Sequence, residues 1–153
     1  IHFSNGGGET VFINNTIVNN TCEGDGGAIF TNYETAKPLL INTIIYGNKP
    51  AQIRLEVSSG LDFYNCLIEG GKDKFSGESF SGTYQNIIED DPQFADEANF
   101  DFHLKAGSPC VGSGVDSVEV NGIWYHSPKI DFEGNYRPNP SGTSHDIGAY
   151  ENN

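Results

Sequence analysis

The side chains in this chain that could perform chemistry are few and widely scattered. Its four histidines show neither HxH nor HExxH spacing, so the sequence predicts no metal centre; they are His2, His103, His126 and His145. Asp90 and Asp91 are adjacent, but a glycosidase needs two carboxylates about 5–10 Å apart across one sugar. Neighbours on an extended strand point to opposite faces, and Pro92 favours an extended backbone at Asp91. No catalytic residue is predicted.

The two arginines are the next candidates, because a polysaccharide lyase needs a basic side chain beside carboxylates that hold calcium. Arg54 follows the same alternation as Glu56, and a solvated ion pair is the favoured interpretation. Arg137 has a planar fork of donors that could hold Asp131, Asp146 or a backbone carbonyl. A structural role is therefore favoured for Arg137.

A short aromatic run gives the best candidate for ligand binding. Trp124, Tyr125 and His126 are consecutive, and pyranose faces stack on aromatic rings. Tyr33 and Tyr46 are expected on turns behind this run. The alternative, which we favour for Trp124, is that its ring covers an open end of the hydrophobic core.

The charge balance excludes some partners. With 8 basic and 21 acidic residues the net charge is -13, so a nucleic acid or heparin-like chain would be repelled. Acidic stretches at 23–25, 89–91 and 96–97 could bind calcium, although no EF-hand loop is present and solvated loops are favoured. No apolar run approaches the roughly 18–20 residues of a membrane span.

The elements that position these residues begin with a repeat. The stretch 12–19 is echoed at 40–47 and again at 63–70, and we register the three copies on Asn15, Asn42 and Asn65. Short β-branched segments at spacings in the twenties predict a solenoid. The expected fold is all-β: a right-handed parallel β-helix of about three coils over residues 1–85, with a β-rich C-terminal cap over residues 86–153. Chance similarity among Asn-rich segments is the alternative.

This register makes further predictions. Ile17, Ile44 and Leu67 should stack as one interior column, and the repeated asparagines could form a hydrogen-bonded ladder. The polar stretch 72–82 is expected to be a loop. The N-terminal end should be open, while the C-terminal remainder should close the other end.

Four C-terminal segments carry a recurrent pattern. They contain Asp91-Pro-x-Phe, Asp101-Phe-x-Leu followed by Gly-Ser-Pro-Cys, Asp131-x-x-Gly-x-x-Arg137, and Asp146-Ile-Gly-Ala-Tyr-Glu. Between them, the stretch 118–125 contains an Asn-Gly pair and predicts a two-residue hairpin. The stretch 146–151 alternates and predicts a closing strand, with Asp146 held by Arg137 and by the amides of the 112–114 turn.

In this order, the four segments resemble the closing region of secreted bacterial β-helix proteins of the choice-of-anchor and pectate-lyase-like superfamily. The resemblance implies a structural role for the motif residues Asp91, Asp101, Asp131, Arg137 and Asp146. It also implies an extracellular or cell-surface location, with a polysaccharide as partner. One departure is Gly112, where the family usually carries Asp.

Two functional hypotheses follow. The first is a non-catalytic C-terminal segment of a surface protein, glycan-associated or adhesive, and monomeric. The second is a fragment of a polysaccharide lyase or glycoside hydrolase whose active groove lies mainly in further N-terminal coils. The chain opens on Ile1 without an initiating Met or signal-peptide pattern, so we expect it to be continuous with such coils.

Overall fold

The computed structural model describes residues 1–3, 10–24, 26–32, 37–56 and 60–152. Its strands are short, and in chain order they are β1 (His2–Phe3), β2 (Val11–Ile13), β3 (Thr16–Val18), β4 (Ile29–Thr31), β5 (Leu39–Ile41), β6 (Ile44–Tyr46), β7 (Ile53–Leu55), β8 (Asp62–Tyr64), β9 (Leu67–Ile68), β10 (Ser76–Gly77), β11 (Tyr84–Gln85), β12 (Phe94–Asp96), β13 (Asp101–Leu104), β14 (Ser117–Val120) and β15 (Ile123–His126). Two single-turn 3-10 helices cover Gly71–Lys74 and Glu97–Asn99. Within these ranges no helix has the length or apolar character needed to cross a bilayer.

Strands that are three positions apart in chain order pair in parallel, and this pairing gives three sheets. Sheet A has the order β1-β4-β7-β10, sheet B the order β11-β8-β5-β2, and sheet C the order β3-β6-β9. Each pass of the chain therefore adds one strand to each sheet. The molecule is all-β and solenoid-like, as the repeat predicts.

Asparagines in the left-handed conformation turn the chain from sheet B to sheet C. Ile13 pairs with Ile41 and Ile41 with Tyr64, so the residue that follows each of them is structurally equivalent. Together with Asn86 after β11, these residues form the asparagine column, Asn14, Asn42, Asn65 and Asn86, with φ between 48° and 54°. The predicted register on Asn15 is wrong by one residue, because Asn14 is the member of the doublet that adopts the positive φ.

The same shift corrects the predicted interior column. Ile17 pairs with Ile45, and Ile45 with Ile68, whereas Ile44 pairs with Thr16. Because side chains alternate between faces, Ile17 and Ile44 lie on opposite faces of sheet C. Ile45 and Ile68 are fully buried in the core enclosed by the three sheets, and Ile17 packs against them. Ile44 and Leu67 face the other way, into a second core.

The stretch 72–82 continues the stack and is not simply a polar loop. It contributes β10, which pairs with β7, and it places Phe75 and Phe80 against Phe63, with ring centroids 6.0–6.1 Å apart. Parallel pairing reaches Ile88, which bridges to Leu67. The division into residues 1–85 and 86–153 stays a prediction.

The C-terminal region packs on the outer face of sheet C. The sequence had instead predicted that this region closes the end of the stack. Phe94, Leu104, Cys110 and Ile147 form the second core with Ile44, Leu67 and their neighbours. Sheet C is therefore covered on both faces, which explains the consecutive apolar pairs 44–45 and 67–68. The stretch 146–151 forms no strand, and its Ile147 is fully buried in that core.

Two antiparallel pairs complete the C-terminal region. β12 pairs with β13, and β14 pairs with β15. The β14–β15 turn is the predicted Asn-Gly pair, since Val120 pairs with Ile123 and both turn residues have positive φ, 51° at Asn121 and 81° at Gly122. The hairpin prediction is confirmed.

Candidate functional site

The asparagine column attaches the C-terminal region to the stack. Asn14 Nδ2 donates to the carbonyl of Asp146 at 3.1 Å. Asn42 Oδ1 accepts from the Val115 N–H at 3.0 Å, while its Nδ2 donates to the Val115 carbonyl at 2.8 Å and to Ser127 Oγ at 2.9 Å. These contacts explain why the turn carries asparagine in place of glycine at Asn14 and Asn42.

The predicted asparagine ladder is weak at this column and better formed at the next turn. Asn42 Nδ2 reaches Asn14 Oδ1 only at 3.4 Å. One turn later, Asn20 Nδ2 donates to Asn48 Oδ1 at 2.9 Å, and Asn48 Nδ2 donates to Gln52 Oε1 at 2.8 Å. The asparagines that follow sheet C therefore bond to neighbouring amide side chains, whereas Asn14 and Asn42 of the asparagine column bond to the C-terminal region.

Buried charges hold the C-terminal segments to one another. Arg137 pairs with Glu151 at 2.5 Å, with both side chains almost fully buried. Glu151 also accepts from the N–H groups of Asn139 and Asp146. Burial lowers the pKa of the Arg137 guanidinium and raises the pKa of Glu151, and their ion pair opposes both shifts.

Asp131 organises the loop that it begins. Its carboxylate accepts hydrogen bonds from the backbone N–H groups of Glu133, Asn135 and Glu151, and another from the side-chain amide of Asn135. Although burial raises its pKa, these donated hydrogen bonds hold the pKa of Asp131 below its ordinary value. Both oxygens are thus bonded within the fold.

Asp146 and Arg137 lie next to each other, but their side chains do not form an ion pair with each other. Asp146 Oδ1 accepts from the Gly112 N–H and Oδ2 from the Asn152 N–H, each at 2.7 Å. Arg137 instead donates to the carbonyls of Asp146 and Gly148. The predicted hydrogen bond from an amide of the 112–114 turn to Asp146 is therefore present. The carboxylate that Arg137 holds is instead that of Glu151, which the sequence analysis did not predict.

The other two motif aspartates lie near the surface. Asp91 Oδ1 accepts from the Gln93 N–H at 2.7 Å in an exposed turn. Asp101 Oδ1 lies 2.6 Å from His103 Nδ1, and His103 Nε2 lies 3.2 Å from Glu133. The hydrogen bond to Asp101 raises the pKa of His103, with Glu133 adding to the shift, and the same bond lowers the pKa of Asp101.

The hairpin separates the three residues predicted to bind a ligand. Trp124 and His126 lie on one face, with ring centroids 6.4 Å apart and planes 19° apart, whereas Tyr125 alternates to the other face. The cross-strand partner of Trp124 is Glu119. Trp124 is 58% exposed, so the interpretation that its ring covers the core end is wrong. We call the surface of Trp124, His126 and Glu119 the hairpin face.

A second concave surface lies beside strand β3, and we call it the edge groove. Its volume is about 690 Å³, within the usual range of ligand sites. One wall is the run from Asn14 to Val18, and the opposite wall includes Ile130, Phe132 and Tyr150. Phe132 is 79% exposed and meets the Tyr150 ring edge-on at 5.8 Å. Sequence reasoning missed this groove, because its walls are far apart in the chain.

The remaining candidates are placed as follows. Tyr46 packs edge-on against Phe94 in the second core, so the expectation of a ring behind Trp124 is wrong. Tyr33 lies outside the described residues. Arg54 is half-buried in β7, in register with Phe30 and Ser76.

The described residues of the acidic stretches show no assembled cation site. Glu97 accepts from Asn19 and Asp96 from Asn99, and Asp25 lies outside the described residues. Across the ranges that the structure describes, no three His, Cys, Asp or Glu side chains group in a way that could hold a metal ion.

Comparison of the chain with protein-family models, with curated proteins and with solved structures gave no match.

Proposed function

We propose that this chain is a segment of a right-handed parallel β-helix in an extracellular bacterial surface protein, with a non-catalytic role in glycan binding. The three stacked parallel sheets support the fold class, since each pass of the chain adds one strand to each sheet. The four-segment C-terminal pattern supports membership of the choice-of-anchor and pectate-lyase-like superfamily. Glycan binding rests on the hairpin face.

The observation that carries the proposal is the pair of nearly parallel, accessible rings of Trp124 and His126. An exposed indole on a rigid two-stranded element offers a flat apolar surface for the C–H face of a sugar. Glu119 sits across the strand pair from Trp124, where its carboxylate can accept hydrogen bonds from sugar hydroxyls. An apolar face with an adjacent acceptor is the arrangement that sugar recognition needs.

The net charge of the protein argues against acidic sugars as the ligand. Uronates and sulfated sugars are anions, and a chain of net charge -13 would repel them. Glu119 adds a local negative charge beside the rings. Neutral or amino sugars are therefore the ligand class that we propose.

The buried carboxylates support a role without catalysis. Asp131 and Asp146 use both oxygens to accept hydrogen bonds from the chain, and Glu151 is paired with Arg137. A catalytic acid or base must instead reach the substrate. We assign these three residues to holding the C-terminal region together.

A glycan array probed with the wild-type chain, with and without calcium, tests the proposal. Trp124→Ala should weaken binding to neutral or amino sugars at least about tenfold, as expected for loss of a stacking ring. Phe100→Ala is the matched control, because Phe100 is 78% exposed in the turn between the Glu97–Asn99 helix and β13 and its removal should leave binding unchanged. Binding that is confined to uronates and needs calcium would contradict the proposal, as would equal loss in both variants.

A further inference from the structure

The hairpin face carries a carboxylate that the fold does not use. Glu119 is exposed, and within the described residues its side chain makes no hydrogen bond or ion pair. By contrast, two carboxylates that lie beside aromatic rings elsewhere are bonded. Glu89 accepts from the Tyr84 hydroxyl at 3.1 Å, and Glu133 lies 3.2 Å from His103 Nε2. The Glu119 carboxylate is therefore free to contact a ligand.

The hairpin ladder places this carboxylate beside the indole ring of Trp124. At the open end of the hairpin, the Ser127 N–H donates to the Asp116 carbonyl. Hydrogen-bonded and non-hydrogen-bonded pairs alternate along an antiparallel ladder, so Glu119 and Trp124, which are partners in register, form a non-hydrogen-bonded pair. The Cα atoms of such a pair are about 4.5 Å apart and its side chains share one face. The carboxylate and the indole therefore lie side by side.

The second ring lengthens the apolar surface on the side away from this charge. His126 follows Trp124 by two residues on the same face, with ring centroids 6.4 Å apart and planes 19° apart. The cross-strand partner of His126 is the uncharged Ser117. The hairpin face thus has a negative charge beside the Trp124 ring and a neutral side chain across from the His126 ring.

A pyranose that stacks on Trp124 presents its edge to Glu119. In a sugar of the glucose configuration the ring substituents are equatorial, so the two faces carry C–H bonds and the substituents project sideways. When the C–H face lies on the indole, a carboxylate beside the indole contacts one of these substituents. An ammonium substituent suits this position better than a hydroxyl, because its hydrogen bond to a carboxylate is charge-assisted. A cation near the indole is also attracted to the ring.

The charge of the whole protein acts in the same direction. The net charge of -13 attracts a cationic ligand and speeds its association. A protonated amino sugar has the complementary charge, whereas its N-acetylated form and glucose are neutral. Both the local and the overall charge therefore favour the free amine.

We propose that the hairpin face selects a positively charged amino sugar, a glucosamine oligosaccharide, through an ion pair between the Glu119 carboxylate and the protonated 2-amino group. This inference rests on the proposed glycan binding at the same face and names the sugar. Trp124 and His126 supply the stacking surface, which all sugars of this configuration can use. Glu119 supplies the discrimination between an amine and an acetamido or hydroxyl group.

Three trisaccharides that differ only in the substituent at carbon 2 test this selection. They are the β-1,4-linked trimers of glucosamine, N-acetylglucosamine and glucose, and their binding is measured by calorimetry at a pH below the pKa of the sugar amine. The wild-type chain should bind the glucosamine trimer about three- to fivefold more tightly than the other two, as expected for an exposed ion pair. This preference should shrink at high salt.

Glu119→Gln separates charge from hydrogen bonding, because the amide keeps an acceptor oxygen at the same position. In this variant the three trimers should bind equally to within about twofold. Asp90→Asn is the matched control, since it removes the same charge from an exposed residue outside the hairpin, and it should keep the preference. Trp124→Ala should weaken the binding of all three trimers, because stacking does not depend on the substituent.

The outcomes separate this inference from the proposed function. A preference that persists in Glu119→Gln, or that Asp90→Asn reduces equally, would overturn the inference and assign the effect to the net charge. Equal binding of the three trimers by the wild-type chain, lost in Trp124→Ala, would overturn the inference and leave glycan binding intact. Nα-acetyl-lysine amide bound as tightly as the glucosamine trimer would show that the face recognises an amine without the sugar ring, which also overturns it. Binding of none of the trimers would reject both.

Discussion

Replacing Asn42 by glycine should detach the C-terminal region from sheet C and lower the stability of the whole fold. Asn42 is completely buried and has a φ of 48°. Glycine adopts this left-handed conformation without strain, so Asn42→Gly removes the side-chain hydrogen bonds and leaves the backbone unstrained. Asn42→Ala removes the same bonds and adds the left-handed penalty of roughly 1–2 kcal/mol.

The magnitude follows from the three bonds that link Asn42 to Val115 and Ser127. Without the side chain, the Val115 N–H loses its acceptor, whereas the Ser127 hydroxyl still donates to the Val115 carbonyl at 2.7 Å. At roughly 1–3 kcal/mol for one group left unpaired, we expect a loss of about 1–3 kcal/mol in the free energy of unfolding. For a chain of this length, that corresponds to a drop of about 3–12 °C in the melting temperature.

The assay is thermal and urea unfolding followed by circular dichroism, with Asn86→Gly as the control. Asn86 has the same conformation, with a φ of 54°, but it is exposed and belongs to the last pass of the stack. Both variants carry the same entropy cost of a new glycine in the unfolded chain. The difference between them therefore isolates the docking contacts.

Two results would refute this reasoning. If Asn42→Gly and Asn86→Gly melt within about two degrees of each other, the side chain of Asn42 does not hold the C-terminal region. If Asn42→Ala is as stable as Asn42→Gly, the left-handed conformation does not constrain that position.

Asp146→Ala should lower the melting temperature by several degrees, because two amides lose a carboxylate acceptor at 2.7 Å, whereas the same change at the exposed Asp90 should have no effect. Ile44→Asp and Ile45→Asp should both unfold the chain in denaturant titrations, because sheet C is buried on both faces; a well-folded Ile44→Asp variant would show that the outer face is open. The contacts of His103 with Asp101 and Glu133 should stabilise the fold below pH 6.5, the ordinary pKa of histidine, and this stabilisation should be lost as the pH rises through the raised pKa of His103. His103→Gln should therefore flatten the fall in melting temperature between about pH 6 and pH 8, and an unchanged pH profile would contradict the assigned contacts.

Local features of the sequence were sufficient to predict several elements. The Asn-Gly pair between two alternating stretches determines the β14–β15 hairpin, because few other residues adopt the required positive φ. The recurrence of short β-branched runs predicts the stacked parallel strands, since such segments bury their side chains only against neighbouring copies. Both signals lie within about thirty residues of chain, and they predict local structure without any knowledge of distant partners.

The register and the sites depend on contacts that no local pattern encodes. In the doublet 14–15, either asparagine could occupy the turn, and Asn14 does so where its amide meets the carbonyls of Asp146 and Gly148. The docking of the C-terminal region on sheet C brings the walls of the edge groove together, and the same packing leaves Trp124 exposed. The sequence by itself determined the repeated parallel strands and the Asn-Gly hairpin, whereas tertiary structure decided which face each residue occupies, because shape and hydrogen-bond complementarity between distant segments selects among locally equivalent registers.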